Sequence, residues 1–222
     1  MQNILVIGDT HCPFEHKKYL DFCCKTRDKF KCSIIIHIGD LVDLHSISAH
    51  EHSPDGFSPF QEHQEALKHL RKWYKAFPKV TLLIGNHDER IEKAAFEQGL
   101  SRVYFKSFQE IWEFPKGWDY RFDCYYYGIR FFHGMGYSGK YAHISAAQEN
   151  RQSVVIGHLH ANGGVEWSAN ENSIIFGLAV GCGVDRNSYA FRYGRDYKRK
   201  PILGCGVITD SGKNAQFVPM EM

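Results

Sequence analysis

Apolar positions along this chain follow two rhythms, and the change falls near residue 90. In the first part, short β-branched runs alternate with longer stretches of helical spacing. Ile4-Leu5-Val6-Ile7 reads as a buried strand closed by Gly8. Glu15 to Lys29 carries Tyr19, Leu20, Phe22 and Cys23 at spacing that suits a helix. Ser33 to Ile38 reads as a second strand, ending at Gly39-Asp40. After a polar loop the pattern predicts a helix from about Pro59 to Phe77, with Pro59 in the first turn, where its missing N–H costs nothing. Val80 to Ile84 is a third strand, ending at Gly85-Asn86. Strands alternating with helices predict a sheet with βαβ crossovers.

Beyond Arg90, helical segments are expected near Glu89 to Gln98 and Phe105 to Phe114. Tyr125 to Phe132 then reads as two strands meeting at a turn. Ser153 to Ile156, Gly164 to Trp167, Ser173 to Gly177 and Gly204 to Thr209 add further strands. Asn214 to Val218 returns as a hairpin through Asp210-Ser211-Gly212-Lys213. No repeat, low-complexity stretch or linker interrupts the chain. One α/β domain over residues 1–222, with two packed sheets and outer helices, fits this order.

Composition narrows the picture a little. A length of 222 residues suffices for one large domain with a well-buried core. With 43% hydrophobic and 23% charged residues the chain reads as an ordinary globular protein. A formal net charge of +2 does not by itself argue for nucleic acid. The run Ile4 to Ile7 is too short for a signal-peptide core or a membrane span, so a cytoplasmic protein without membrane contact is expected. The seven cysteines are odd in number and form no CxxC pair, which argues for reduced, buried thiols rather than disulfides or a Cys-rich zinc site. Cys12 is expected to be a neutral neighbour of His11.

The candidate chemistry sits where the apolar runs end. Gly8-Asp9-Thr10-His11, Gly39-Asp40-Leu41-Val42-Asp43, Gly85-Asn86-His87-Asp88, His133-Gly134 and Gly157-His158-Leu159-His160 each close a run with metal-ligand residues. A strand ending in Gly-Asp or Gly-Asn delivers polar side chains at the carboxyl edge of a sheet, where binding sites of α/β folds lie. The glycines let backbone turn tightly and approach a ligand. Two carboxylates, an amide oxygen and four imidazoles suit Mn, Fe, Zn or Ni better than Ca. Two such cations form a clamp for in-line attack on phosphorus.

Order and spelling resemble the calcineurin-like metallophosphoesterase family, whose pattern is DxH, GDxxD, GNH(D/E), H and GHxH. All these elements occur in family order between Asp9 and His160. The resemblance implies a four-layer α/β/β/α sandwich, two mixed sheets flanked by helices. It implies two divalent metal ions, with Mn the first choice and Fe, Zn or Ni the alternatives. Carried over residue by residue, it places Asp9, His11 and His160 on the first metal and Asn86, His133 and His158 on the second, with Asp40 bridging both. A water between the cations would lose a proton near neutral pH and attack phosphorus in line with the leaving oxygen. His87 would donate a proton to the leaving group or stabilise charge on the phosphoryl oxygens. Asp43 would hydrogen-bond His87, fix its tautomer and raise its pKa; its alternative is the cap of a local turn.

Nearby residues have two readings each. Asp88 reads best as an exposed acid in the first turn of a helix. Arg90 either binds substrate phosphate through a bidentate contact or pairs with an acid on its own helix. His45, His50, His52 and His63 lie in or beside the loop after Asp43; His45 is the first candidate to line a substrate cleft, and a solvated loop is the plainer reading. His37 lies inside a strand and reads as packed, whereas His16 and His143 carry no signal. Gly134 to Gly139 lacks the Gly-Lys-Ser/Thr ending of a nucleotide-binding loop and reads as a turn carrying His133. Tyr189 to Lys200 is basic and aromatic. It could stack bases and hold phosphates, but the near-neutral chain favours a solvated loop.

Substrate class follows less directly. The protein serine/threonine phosphatase branch reads GDxVDRG and GNHE, whereas here Leu44-His45 follows Asp43 and Asp88 closes the third motif. The missing arginine speaks against a protein phosphatase. The chain resembles small bacterial and phage-type members, which include phosphodiesterases, nucleotide phosphatases and DNA nucleases. The expected activity is dinuclear-metal-dependent hydrolysis of a phosphodiester or nucleotide. A DNA or RNA nuclease, a phosphomonoesterase and a non-catalytic scaffold are the alternatives, the last disfavoured because no ligand residue is missing. The sequence names no protein partner.

Overall fold

Alternation along β1 (Asn3–Ile7) decides the layering. Leu5 and Ile7 face a core shared with the helices α1 (Tyr19–Lys29) and α2 (Pro59–Ala76). Ile4 and Val6 face the opposite way, into a core shared with a second sheet. The computed structural model that shows this describes residues 2–48, 55–194 and 198–221, with backbone alone at 192–194.

The remaining strands are β2 (Cys32–His37), β3 (Val80–Leu83), β4 (Trp118–Arg121), β5 (Asp123–Tyr126), β6 (Ile129–Phe132), β7 (Val154–Ile156), β8 (Gly163–Ala169), β9 (Ile174–Val180), β10 (Gly204–Thr209) and β11 (Asn214–Pro219). The first sheet runs in the order β11-β10-β1-β2-β3-β4, with β1 to β4 mutually parallel and β10 and β11 antiparallel to their neighbours. The second runs β5-β6-β7-β9-β8, with β6, β7 and β9 parallel. Both sheets are mixed. The helix α5 (Ala142–Asn150) packs on the outer face of the second, against Val154 and Ile156, while Val155 points into the core between the sheets. The layers are therefore helix, sheet, sheet, helix, and the expected α/β/β/α sandwich is what the chain forms.

Local chemistry explains the longest helix. The Ser58 hydroxyl accepts the Gln61 N–H (3.3 Å) and the Gln61 side chain accepts the Ser58 N–H (3.0 Å), so α2 opens with a capping box and Pro59 in its first turn. It closes at Phe77, ahead of Pro78. Its Leu70 and Trp73 are fully buried beneath the first sheet. Each such side chain contributes roughly 1.5–3 kcal/mol of hydrophobic stabilisation.

Some elements differ from expectation. The first helix starts at Tyr19 rather than Glu15. The helix expected near Glu89 to Gln98 is α3 (Arg90–Glu97), and that expected over Phe105 to Phe114 shrinks to one turn, α4 (Phe108–Ile111). Neither β4 nor α5 was anticipated. The buried face of α5 is built from Ala142, Ala146 and Ala147, so its polar and apolar sides contrast too weakly to show as periodicity. All cysteines are free thiols, buried except for Cys24. Among the described residues no helix is long and apolar enough to cross a membrane.

Candidate metal centre

Parallel pairing brings Asp9, Asp40 and Asn86 to one edge, just beyond β1, β2 and β3. From the second sheet, β6 and β7 deliver His133 and the Gly157-to-His160 turn to the same place. The loops are tied to each other. Thr10 and His11 N–H groups both donate to Asp40 O (3.2 and 2.9 Å), and Gly157 N–H donates to His133 O (3.0 Å). Two glycines allow the approach: a Cβ on Gly85 would stand 2.2 Å from Asp40 Oδ1, and one on Gly157 would stand 2.3 Å from Asp9 Oδ1.

The donors fall into two groups that share Asp40. Asp9, His11, Asp40 and His160 form one; Asp40, His133 and His158 form the other, and within each the donor atoms lie within 4.8 Å of one another. Asn86 Oδ1 joins the second group at 3.3 Å from His133 Nε2. All seven residues expected as ligands are thus gathered in one place. His11, Asp40 and His158 sit at φ of 51°, 48° and 65°, the left-handed region that costs a residue other than glycine about 1–3 kcal/mol.

Hydrogen bonds on the far side of each ring settle which atoms face inward. His11 Nδ1–H donates to Asp43 Oδ1 (2.6 Å) and His133 Nδ1–H to Ile38 O (3.0 Å). Both Nε2 atoms therefore turn towards the site, that of His11 at 3.0 Å from His160 Nε2. Between them sits Asp40 Oδ2, 3.5 Å from His11 Nε2 and 3.2 Å from His133 Nε2. The other oxygen of Asp40 accepts the His87 backbone N–H (2.9 Å). Asp9 Oδ2 accepts the His158 N–H (2.9 Å) and lies 3.3 Å from His160 Nε2, while the buried Asp9 Oδ1 has no hydrogen-bond partner. Carboxylate oxygens and ring nitrogens thus converge on one centre, an arrangement that calls for positive charge there. Burial works against charge on His133, yet Asp40 and Asp9 push its pKa up to about 10. Burial likewise works against charge on Asp40, but His133 and His87 hold its carboxyl well below the usual range. His11 moves the other way, down to about 4, through burial and the nearby His87. This donor set fits a pair of divalent cations.

Around this centre the structure adds a partner to one expectation and corrects two others. Asp43 approaches His87 Nδ1 at 3.3 Å, but its closest partner is His11, so one carboxylate serves two imidazoles. The tighter bond of His87 Nδ1–H goes to the backbone carbonyl of Asp43 (2.8 Å). Burial opposes charge on His87, and Asp40 and Asp43 overcome it, so its pKa is raised. Arg90 neither reaches into a cleft nor pairs along its own helix. Its Nη1 donates to Asp43 O (2.6 Å) and Leu44 O (3.3 Å), and its Nη2 to His87 Nε2 (3.1 Å). Asp88 is buried rather than exposed. It accepts backbone N–H groups from Leu41 (3.0 Å) and Gly85 (2.9 Å), with a longer contact to Val42 (3.4 Å). Asp88 thereby clamps the loop after β2 to the loop after β3. Asp88→Ala leaves these N–H groups without a partner at roughly 1–3 kcal/mol each, so a loss of about 2–5 kcal/mol is expected in urea unfolding; a loss below about 0.5 kcal/mol contradicts the clamp.

The remaining histidines divide. His37 is buried and donates from Nε2 to Thr10 Oγ1 (3.0 Å), bracing the first two loops as a packed residue. His45 packs edge-on to Tyr189 (5.5 Å), and its backbone N–H donates to Glu62 Oε1 (2.7 Å). His63 contacts Trp112 and Ile111 O. His50 and His52 lie outside the described residues, as do Arg195, Tyr197 and the side chains of Arg192 and Tyr193. Cys12 is fully buried, and burial raises its thiol pKa well above the ordinary value.

A cleft of about 720 Å³ opens over both donor groups, with Asp40, Asn86, His87, His158 and His160 on its floor. Arg90 and His45 do not line it. Its far wall carries Arg186, Asn187, Ser188, Phe191, Arg199 and Lys200. Phe191, Arg199 and Lys200 belong to the basic-aromatic stretch that read as a solvated loop, and the structure sets them beside the site instead. Arg186, Asn187 and Ser188 had no signal in the sequence.

Sandwich, crossing loops and shared aspartate define a phosphoesterase-type architecture. Residues 2–191 match the calcineurin-like phosphoesterase family, and the chain belongs to that family. Among solved structures it is similar to a metallophosphoesterase from Sphaerobacter thermophilus, at 14% identity and a TM-score of 0.52, covering 99% of this chain and 88% of that one. It also resembles Vps29 from Chaetomium thermophilum, at 13% identity and a TM-score of 0.44 over 99% and 97% of the two chains. The phosphoesterase Yfce from E. coli matches at 13% identity and a TM-score of 0.44 over 94% and 89%. At these identities the likeness concerns the fold alone. No curated protein matches the chain.

Proposed function

We propose that this chain hydrolyses phosphodiesters or nucleotides with two divalent cations, one held by Asp9, His11, Asp40 and His160, the other by Asp40, Asn86, His133 and His158. A single observation carries the reading: Asp40 Oδ2 stands between the Nε2 atoms of His11 and His133, so both groups share one carboxylate oxygen. Mn is the first choice, with Fe, Zn or Ni suiting the same nitrogen-rich set. When bound, such a pair neutralises charge on a phosphoryl group and activates water for in-line attack.

The chain's own residues supply the rest. Asp43 keeps the Nδ1 proton on His11 and stands beside Nδ1 of His87, so the inward nitrogens stay available. His87 lines the cleft with Nδ1–H committed to Asp43. A proton given to the leaving oxygen would come from Nε2, once protonation of that atom frees it from the Arg90 donor. Arg90 meets that same atom and is anchored on the carbonyls of Asp43 and Leu44, which makes it a positioning residue for His87. Leu44, directly after Asp43, is buried and offers the cleft no cation, which supports a diester or nucleotide over a phosphoprotein. A non-catalytic scaffold would not need ring tautomers fixed from behind with bare nitrogens turned inward.

A hydrolysis panel with added Mn tests the reading. It compares bis-(p-nitrophenyl) phosphate, p-nitrophenyl phosphate, nucleotides, cyclic nucleotides and single- and double-stranded DNA, with Asp40→Ala as the blank. Diester or nucleotide turnover above the monoester, and background rates in the blank, are expected. Equal rates in the blank, or no turnover of any substrate by metal-loaded protein, would sink the proposal.

A further inference from the structure

One wall of the cleft is left over by the two-metal reading. Arg186 and Arg199 line it, and Asp40 is the only carboxylate among its described lining residues. Neither arginine forms an ion pair among the described residues. The near-neutral chain thus sets two unpaired arginines beside the donor groups.

Both arginines ride on segments bonded to the backbone of the first donor group. Gly183 N–H donates to Asp9 O (2.7 Å). Three residues on, a turn presents Arg186: Asp185 Oδ1 accepts the Asn187 N–H (2.9 Å) and Asp185 O accepts the Ser188 N–H (2.9 Å). On the other arm Ile202 N–H donates to His160 O (2.7 Å), just past Arg199-Lys200-Pro201. The backbone on both arms of the cationic wall is therefore tied beside Asp9 and His160.

Charge balance says what it is for. Two divalent cations, offset by Asp9, Asp40 and the hydroxide such a pair would generate, leave a surplus that one diester phosphate would already neutralise. The arginines then have no anion to meet unless the substrate brings another. Guanidinium groups match phosphate oxygens in pairs, and a cleft of about 720 Å³ holds a ligand of nucleotide size rather than a lone phosphate. We infer that Arg186 and Arg199 form a subsite for a second phosphate, so that the preferred substrate carries a phosphate beside the scissile one. This rests on the phosphoesterase reading above. A nucleotide strand and a nucleoside polyphosphate both present that chemistry.

Calorimetry on Mn-loaded His87→Ala protein, which limits turnover, tests the subsite. Thymidine 3′,5′-bisphosphate is compared with thymidine 5′-monophosphate, and ADP with AMP. A gain of at least about tenfold in affinity from the added phosphate is expected, the scale of one charge-assisted hydrogen bond. In the same background Arg186→Ala with Arg199→Ala reduces that gain to within about twofold, and 0.3 M salt weakens it. A gain confined to the bisphosphate identifies a nucleotide strand, and one confined to ADP a nucleoside polyphosphate. No gain from either ligand, or a gain that survives loss of both arginines, overturns the subsite. Wild-type turnover of bis-(p-nitrophenyl) phosphate, which has one phosphate, tests the phosphoesterase reading separately.

Discussion

Asp40→Asn is expected to release both metals together, leave the fold intact and lower turnover by about 10³-fold or more. Asp40 adopts a φ of 48°, a conformation that asparagine tolerates as well as aspartate does. The amide oxygen can still accept the His87 N–H that Asp40 Oδ1 accepts at 2.9 Å. Without the Asp40 charge that raises its pKa, His133 loses its extra proton, and the amide nitrogen, at the 3.5 and 3.2 Å positions of Asp40 Oδ2, can donate to the Nε2 atoms of His11 and His133. The variant therefore satisfies the same neighbours without a cation. Elemental analysis with a thermal melt separates loss of metal from loss of fold. Release of one metal with the other retained counts against a shared carboxylate.

His87→Ala carries the second large effect, and the opposite signature. Turnover is expected to fall about 10²–10⁴-fold, the range for removing a general acid, while metal content stays at the wild-type level. The His87 contact to Asp40 is made by its backbone N–H and survives the substitution. Asp43 keeps His11 at 2.6 Å, and Arg90 keeps the carbonyls of Asp43 and Leu44. What is lost is the ring edge against His11, the Nδ1–H bond to Asp43 O and the Nε2 contact with Arg90. Unchanged kcat in this variant removes His87 from the chemistry, and a parallel loss of metal makes it structural instead.

The parts that were legible in the sequence are those with a short-range signature. β1, β2 and β3 show as β-branched runs because both faces are buried, and each ends in a glycine and a polar residue at the sheet edge. The seven donors therefore stood out by position and spelling. What stayed hidden depends on tertiary partners. Asp88 has the look of a first-turn helix acid, and only the closeness of the loops after β2 and β3 turns it into a buried clamp. Arg90 could not be assigned because its partners are backbone carbonyls more than forty residues away. The alanine face of α5 carries too little contrast to register as amphipathic. Arg186 and Arg199 gain meaning only when hydrogen bonds to Asp9 O and His160 O bring their segments to the cleft. Left-handed backbone at His11, Asp40 and His158 likewise has no spelling of its own.

Whether one aspartate joins two cation sites is read from anomalous diffraction of crystals grown with Mn. Two peaks about 3.5–4 Å apart are expected, one among Asp9, His11, Asp40 and His160 and the other among Asp40, Asn86, His133 and His158. A single peak, or two peaks that do not both contact Asp40, would contradict the shared aspartate.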